Sequence, residues 1–339
     1  MIMTQRQPNF ENLLKVLRRE KPERPVLFEI FMDKPVMEYF AGYTAEKENE
    51  LEYLKMSIDA FKNAGYDYAS THGCKIGFKT NAHEGKSTTS KNEGAIITDD
   101  ASFEAYEWPD VSKCDFSRLS KIKSYLPDGM KLMLMGMGGV LENVTSLVGY
   151  DNMCFMLFDN PTLLGKVFEM VGQTFYEYYK AALEYDSVGV VLLNDDWGFR
   201  TQTLISVADL RKYVFPWHKK IIDLAHDAGR PVILHSCGYA NDIMEDIIAM
   251  GYDAKHSFED NILPVEECFK RWGDRIAIMG GLDLEFLIRS PIEDVVPRAK
   301  ALLDMTADRG GYALGTGNSF AFYIPRDKME ALINVALNY

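Results

Sequence analysis

The chain has 339 residues, of which 47% are hydrophobic and 26% are charged, and its formal net charge is −13 at pH 7. This composition is typical of a globular protein and excludes a disordered chain, and the length suffices for one large domain or two medium ones. The acidic balance excludes a basic surface for nucleic acid, and it would repel polyanionic ligands unless local charges compensate.

Eight short runs of β-branched and apolar residues recur along the chain and predict eight strands. In order they cover residues 24–31, 66–71, 130–136, 187–194, 230–236, 252–258, 275–281 and 311–317. Several runs are almost continuously apolar, as expected for parallel strands that are covered on both faces. Glycines that end helical segments precede four of the runs, which is typical of helix-to-strand loops.

Helical periodicity fills most of the intervening segments. The predicted helices cover residues 47–64, 161–185, 206–228, 241–250, 264–272, 291–309 and 325–338. Eight strands that alternate with helices predict an α/β fold, a (β/α)8 TIM barrel, in one domain of residues 1–339. A doubly wound open sheet is the alternative, although no GxGxxG motif follows the first strand.

Residues 72–100 depart from this pattern. They are rich in Gly, Thr, Ser, Lys and Asn, and they alternate without a helical period. We therefore predict a hairpin-like insertion after the second strand.

The cysteines and the N-terminal segment predict the cellular compartment. The odd number of cysteines and the absence of a CxxC motif are typical of free thiols in a reducing compartment. The cysteines are Cys74, Cys114, Cys154, Cys237 and Cys268. The first 25 residues lack the apolar core of a signal peptide, and no apolar run reaches the ~18 residues that span a membrane. We expect a cytoplasmic protein.

The stretch "PVILHSCG" places His235 and Cys237 at the end of the fifth predicted strand. In a barrel of this kind the active site forms at the carboxyl ends of the strands. Residues i and i+2 of a strand point to the same face, so both side chains reach the mouth together. An imidazole and a thiolate side by side suit zinc. The alternative is an ordinary buried histidine and an ordinary buried thiol.

Carboxylates and a further histidine end neighbouring strands. In "NDDWG", adjacent aspartates alternate faces, so either Asp195 or Asp196 points inward as a metal ligand, general base or substrate anchor. The alternative is that one of them caps the following helix or binds a loop amide. Glu29 is either a site carboxylate or half of an ion pair inside the barrel. His256 is either a ligand or substrate contact, or a buried structural histidine.

The expected substrate contacts also lie at strand ends. Phe31, Trp197 and Phe258 would line an aromatic pocket, with core packing as the alternative, and Asn318 and Gly281 would complete the contacts.

The stretches "PVILHSCG", "NDDWG", "GDRIAIMGGLD" and "GYALGTGN", in this order, resemble the uroporphyrinogen decarboxylase superfamily over residues 24–337. The resemblance implies a (β/α)8 barrel with one of two chemistries, cofactor-free decarboxylation of porphyrinogens or methyl transfer between a zinc-containing barrel and a corrinoid protein. The decarboxylase signature is a pair of arginines after strand one. This chain has "FEIFMDKPVMEYFAG" there, without arginine, and an acidic mouth would oppose a polycarboxylate substrate.

The methyltransferase branch binds zinc through His-x-Cys and a second cysteine at the end of strand eight. His235 and Cys237 match the first part, whereas Thr316 stands at the third position. Either another ligand such as Glu29, Asp196 or His256 completes the site, or no zinc binds. A metal ion with one thiolate ligand would be more electrophilic than one with two, which suits a Lewis acid that polarises an ether oxygen. The pattern "HSFED…GGLD…GYALGTGNS" is similar to the O-demethylase-type members of the branch.

The resemblance therefore implies a methyltransferase that takes a methyl group from a methoxylated, aromatic compound and passes it to the cob(I)alamin of a corrinoid protein. His235 and Cys237 would hold zinc, and Asp196, Glu29 and His256 would be the catalytic residues. Strand-end glycines would leave space for the corrinoid. They are Gly136, Gly138, Gly139, Gly280 and Gly281. The alternatives are a metal-free decarboxylase or lyase, and a non-catalytic barrel that binds a corrinoid or tetrapyrrole. The oligomeric state stays open, with a homodimer among the options.

Overall fold

The computed structural model describes residues 6–81, 92 and 94–339. Seven parallel strands form one sheet in which the spatial order follows the chain order. The strands are β1 Tyr68–His72, β2 Lys131–Met135, β3 Val188–Asn194, β4 Val232–His235, β5 Ala254–His256, β6 Ala277–Met279 and β7 Tyr312–Ala313. Sequential parallel strands joined through helices are the arrangement of a TIM-barrel-like α/β fold. The predicted α/β class is confirmed.

The segment 24–31, predicted as the first of eight strands, is not a regular strand. Leu27 forms a single parallel bridge with Leu314, and Phe28 N donates to Leu314 O over 2.8 Å. On the other side of the segment, the Tyr68 hydroxyl accepts Glu29 N over 2.8 Å and donates to Glu29 O. A side-chain hydroxyl thus occupies the place of the backbone ladder towards β1, which corrects the prediction of eight regular strands to seven.

Helices alternate with the strands, and each of the seven predicted helices overlaps an observed one. In chain order the helices are α1 Phe10–Leu17, α2 Lys34–Ala41, α3 Glu50–Asn63, α4 Asp100–Ala105, α5 Ser117–Lys121, α6 Val140–Val148, α7 Tyr150–Asp159, α8 Pro161–Ala182, α9 Val207–Asp209, α10 Phe215–Asp227, α11 Met244–Met250, α12 Val265–Trp272, α13 Leu284–Arg289, α14 Ile292–Thr306 and α15 Arg326–Leu337. Among the described residues, no helix has both the length and the hydropathy that crossing a bilayer requires.

The strands are buried on both faces, which explains their almost continuous apolar sequence. Residues 132–134 of β2 and 188–193 of β3 are all buried. Full burial of each large aliphatic side chain contributes about 1.5–3 kcal/mol relative to exposure. The central strands are therefore the rigid support for the polar residues that follow them.

The hairpin-like insertion predicted over residues 72–100 lies partly outside the described residues. The parts that are described, 73–81, 92 and 94–99, form no strand, although Asn81 N donates to Gly94 O over 3.1 Å. Ile96 N and Ile97 N donate to Leu147 O over 2.8 and 3.0 Å, which ties this segment to α6.

Candidate metal centre and active site

Two buried histidines end neighbouring strands and contact each other. His235 of β4 and His256 of β5 are in register, and their Nδ1 atoms lie 2.8 Å apart. His256 Nε2 lies 2.9 Å from the backbone oxygen of Thr316. Because a carbonyl oxygen only accepts, His256 carries its proton on Nε2, and its Nδ1 accepts a hydrogen bond from the Nδ1–H of His235. The unprotonated nitrogen of His235 is therefore Nε2.

Burial keeps both imidazoles neutral. Removal from water lowers the pKa of His256 to about 3 and lowers that of His235 well below its ordinary value, with the charge of Lys255 adding to both effects. A neutral imidazole is the form that binds metal ions. The chain from Thr316 through His256 to His235, called here the histidine relay, thus fixes the tautomer in which His235 Nε2 has its lone pair available.

His235, Cys237 and Asp196 place a nitrogen, a sulfur and an oxygen within 4.8 Å of one another. Cys237 Sγ lies 3.4 Å from His235 Nε2, and Asp196 Oδ1 accepts the backbone N–H of Cys237 over 2.7 Å. Ligand atoms of a tetrahedral zinc with bonds of about 2.0–2.3 Å stand roughly 3.5 Å apart. The spacing and the donor types therefore fit a zinc ion.

The Cys237 thiol is protonated when no metal ion is bound. Burial, together with the charge of Asp196, raises the pKa of Cys237 to about 12. Asn318 Nδ2 lies 3.6 Å from the same sulfur, so its amide faces the thiol. Metal binding would release the thiol proton, which makes metal affinity depend on pH.

The structure brings only one of the three alternative ligands together with His235 and Cys237, namely Asp196. His256 uses both ring nitrogens in the histidine relay. Glu29 accepts Thr316 N on Oε1 over 2.7 Å and Thr316 Oγ1 on Oε2 over 2.6 Å. Thr316, which stands where the resemblance places a second cysteine, is therefore bound to Glu29 and His256.

Asp195 and Asp196 have different environments although they are adjacent. Asp195 is fully buried and accepts the N–H groups of Leu141 and Glu142 at the start of α6, over 3.0 and 3.1 Å. It also lies 3.0 Å from His218 Nε2. The carboxylate of Asp195 thus caps α6, which precedes it in the chain and is not the following helix of the capping alternative, and Asp196 is the one in the cluster with His235 and Cys237.

The residues expected to contact substrate are dispersed. Trp197 is fully buried and packs edge-on against His218, with ring centroids 4.9 Å apart. A Cβ on Gly281 would lie 2.5 Å from Val265, and one on Gly280 would lie 2.3 Å from the Thr316 oxygen. Close approach of neighbours, rather than open space, therefore accounts for these two glycines. Phe31 is 38% exposed at the mouth.

A cavity of about 510 Å³ opens beside the carboxyl ends of β1 and β2. Its volume lies within the range of roughly 300–1,000 Å³ that is typical of small-molecule sites. The apolar part of the lining includes Phe31, Met37, Tyr53, Met135 and Met137. These side chains suit a planar, apolar ligand.

The charge of this cavity corrects the expectation of an acidic mouth. Four cations face two carboxylates in its lining, which contains Lys34, Lys47, Lys75, Arg118, Asp33 and Glu50. Glu50 pairs with both Lys75 and Arg118, over 3.1 Å in each case. The net charge of −13 therefore does not describe the mouth, because the acidic side chains are distributed elsewhere.

We expect Glu29→Gln to flatten the pH dependence of stability. Burial raises the pKa of Glu29 to about 8, so the folded protein keeps a proton that the unfolded chain releases above its ordinary pKa of 4.5. Wild-type stability then falls as the pH rises from about 5 to about 8, by at most roughly 5 kcal/mol. Urea unfolding across this range, with the exposed Glu23→Gln as control, measures the slope. Equal slopes in wild type and Glu29→Gln would contradict the prediction.

Sequence reasoning missed Lys255, a buried cation behind the cluster. Its side chain is 2% exposed, and Nζ donates to Ser257 O over 2.7 Å. A lysine inside a predicted buried strand, as in "YDAKHSF", was the available signal.

This chain is similar in sequence to a known family and to several curated proteins. The family described as "Uroporphyrinogen decarboxylase (URO-D)" matches residues 9–339. Among curated proteins, the uroporphyrinogen decarboxylase of Syntrophotalea carbinolica is 22% identical over 180 residues, 53% of this chain and 50% of that protein. The enzyme of Bacillus anthracis is 21% identical over 234 residues, 65% of this chain and 63% of that protein. The chain thus matches about half to less than two thirds of these relatives' length.

A solved structure shares the fold over nearly its full length. It is a methyltransferase from Methanosarcina mazei, which superposes with a TM-score of 0.73 at 17% sequence identity. The match covers 96% of this chain and 97% of that one. At this level of identity the similarity establishes the architecture.

Proposed function

The chain belongs to the uroporphyrinogen decarboxylase family, and from this premise we propose that it is a zinc-assisted methyltransferase of the corrinoid-dependent branch, O-demethylase type. Its methyl donor is a methoxylated aromatic compound, and its acceptor is the cob(I)alamin of a separate corrinoid protein. In this transfer the methyl carbon–oxygen bond breaks and a cobalt–carbon bond forms. The oxygen keeps the bonding pair and takes a proton, so the product is a hydroxyl compound.

The observation that carries this proposal is the cluster of His235, Cys237 and Asp196 at the ends of β3 and β4. Decarboxylation in this family needs no metal, so it gives no reason for this donor set. These three residues would hold a zinc ion, which would supply Lewis acidity to the ether oxygen of the donor. The single sulfur in the set leaves more positive charge for that purpose than two thiolates would.

The other residues of the site hold the cluster in place. The histidine relay keeps the lone pair of His235 Nε2 towards Cys237, and Asn318 faces the sulfur with its amide. Asp196 is fixed by the backbone N–H of Cys237. Glu29 is a buried carboxylic acid whose two hydrogen bonds hold Thr316 in place. It therefore influences the site through the histidine relay and not by contact with the substrate.

The mouth cavity is the proposed binding site for the methoxylated ring. Phe31, Met135 and Met137 offer apolar contacts, and the lining cations favour a ring that carries a negative charge.

The decisive experiment measures zinc and methyl transfer on one preparation. We expect about one zinc per chain after gentle purification. Free cob(I)alamin, offered with a panel of methoxyarenes, should be converted to methylcobalamin, which the cobalt absorbance reports. Less than about 0.2 zinc per chain, with no uptake of added zinc, would refute the metal mechanism. Full zinc occupancy without methyl transfer to cobalt from any methoxyarene would refute the O-demethylase activity.

A second candidate, a metal-free decarboxylase, is favoured by the names of the curated relatives and by the cations in the mouth cavity. Against it, the one arginine of the cavity, Arg118, already donates to Glu50 and to the backbone oxygens of His72 and Gly73. Incubation of the same preparation with uroporphyrinogen, followed by chromatography of the porphyrins, distinguishes the two reactions. Loss of substrate carboxylates without added metal would favour the decarboxylase.

A further inference from the structure

Lys255 is a buried cation without a carboxylate partner in the described part of the chain. The residue is 2% exposed, and among the described residues Nζ donates to backbone oxygens and forms no ion pair with a carboxylate. The ammonium instead lies 4.5 Å from the centroid of the Phe258 ring. Burial lowers the pKa of Lys255 to about 8. A buried charge of this kind is costly unless neighbouring groups compensate it.

The two hydrogen bonds of Lys255 go to backbone oxygens that flank the metal cluster. Nζ donates to Ser257 O over 2.7 Å and to Ser236 O over 3.4 Å. Ser236 stands between His235 and Cys237 in the chain, and Ser257 follows His256 directly. The Lys255 ammonium therefore links the segment that carries His235 and Cys237 to the segment that carries His256.

The Lys255 side chain links the two segments beyond the point where β4 and β5 pair. The ladder between β4 and β5 ends at the pair His235 and His256, with a last backbone bond from Ser236 N to His256 O. Beyond it β4 and β5 share no further ladder pair, and Cys237 belongs to the loop that follows β4. Among side chains, Glu259 adds a second link by accepting Gly238 N over 3.1 Å.

We propose that Lys255 is a positioning residue for the metal cluster, which holds the loop of Cys237 at the distance from His235 that a metal ion requires. The inference rests on the proposed function for the identity of the ligands. It goes beyond that function because Lys255 touches neither metal nor substrate. Replacing Lys255 by an apolar side chain of similar length removes the cost of burying its charge but leaves the Ser236 and Ser257 oxygens without this donor. A positioning role thus predicts that metal affinity falls much more than stability does.

The test compares Lys255→Met with a matched control, Lys328→Met. Lys328 is also buried and also donates to a backbone oxygen, that of Ser290, but it lies on α15 away from the cluster. Cobalt(II) is the probe, because its absorption bands report the affinity, the coordination geometry and the presence of a thiolate ligand. We expect Lys255→Met to weaken cobalt binding by about 10–100-fold, the range typical of residues that orient metal ligands, and to alter the bands. Its melting temperature should stay close to that of wild type, because the loss of a buried charge and the loss of two hydrogen bonds act on stability in opposite directions.

Backbone hydrogen exchange supplies a readout that needs no metal. The N–H groups of Cys237 and Gly238 are bonded to Asp196 and Glu259, so their exchange reports the order of this loop. We expect faster exchange in peptides covering 235–240 and 256–260 of Lys255→Met, and no change there in Lys328→Met. If wild type binds no cobalt, the proposed metal site fails, and the exchange data alone decide the role of Lys255.

A second variant keeps the test valid if Lys255→Met does not fold. Lys255→Gln keeps a polar side chain in the pocket but is too short to reach both backbone oxygens, so we expect the same direction of change in affinity and exchange. Unchanged cobalt affinity together with unchanged exchange in these variants would overturn the proposal. Parallel losses of stability and affinity in Lys255→Met and Lys328→Met would overturn it as well, since they indicate a general structural role.

Discussion

Cys237→Ser is expected to lower zinc affinity and methyl transfer by more than about 100-fold each. The reason is that Cys237 is the one sulfur donor of the cluster, and changes to outer residues alone cost about 10–100-fold. A serine hydroxyl does not ionise to replace a thiolate at neutral pH. Competition against a chromophoric chelator measures the affinity, and the cobalt absorbance assay measures the transfer.

The matched control for this variant is Cys268→Ser. Cys268 is also buried, and burial likewise raises its pKa to about 12, but its sulfur faces Leu263 O rather than the cluster. The wild type should also bind zinc more tightly as the pH rises, by up to about tenfold per unit, because the Cys237 thiol must release its proton. Zinc affinity of Cys237→Ser equal to that of wild type would show that the sulfur is not a ligand.

His256→Leu is expected to weaken zinc binding by about 10–100-fold, whereas His256→Gln should retain most of the affinity. Leucine leaves the His235 Nδ1–H without an acceptor, so His235 is no longer held in one tautomer, whereas the Thr316 oxygen keeps the bond from Gly281 N. A glutamine offers an acceptor to His235 and a donor to Thr316. Both affinities come from the same chelator competition.

This pair of variants separates orientation from ligation. If His256 were itself a ligand, glutamine would be as damaging as leucine, because its amide is a poor zinc ligand. If the relay had no influence, both variants would bind zinc as wild type does. Hydrogen exchange of the β5 peptide in His256→Leu serves as a control for local unfolding.

The sequence predicted those parts of the fold and site that depend on short-range patterns. Continuous apolar runs located seven strands, since buried parallel strands require them. The i, i+2 spacing of His235 and Cys237 predicted that both side chains lie on one face. In the structure, Cys237 Sγ lies 3.4 Å from His235 Nε2. These features are encoded within a few residues, so one sequence suffices to find them.

The remaining features depend on partners that are distant in the chain. Asp195 and Asp196 look alike in sequence, and only the position of α6 decides which one is a helix cap. The first predicted strand fails because the Tyr68 hydroxyl meets its backbone from a segment 39 residues away. The charge of the mouth could not be read from the net charge, because it depends on which loops bring lysines to the cavity.

The bond between Glu29 and Thr316 has a consequence for the order in which the molecule forms. The two residues lie 287 positions apart, so joining them closes one of the longest loops in the chain. Contacts of such separation are expected late in folding. During synthesis, His235 and Cys237 emerge long before the carbonyl that sets the tautomer of His256 exists. We therefore expect a nascent chain to acquire its final metal affinity only after Thr316 has left the ribosome, which delays metal loading until the barrel is nearly complete.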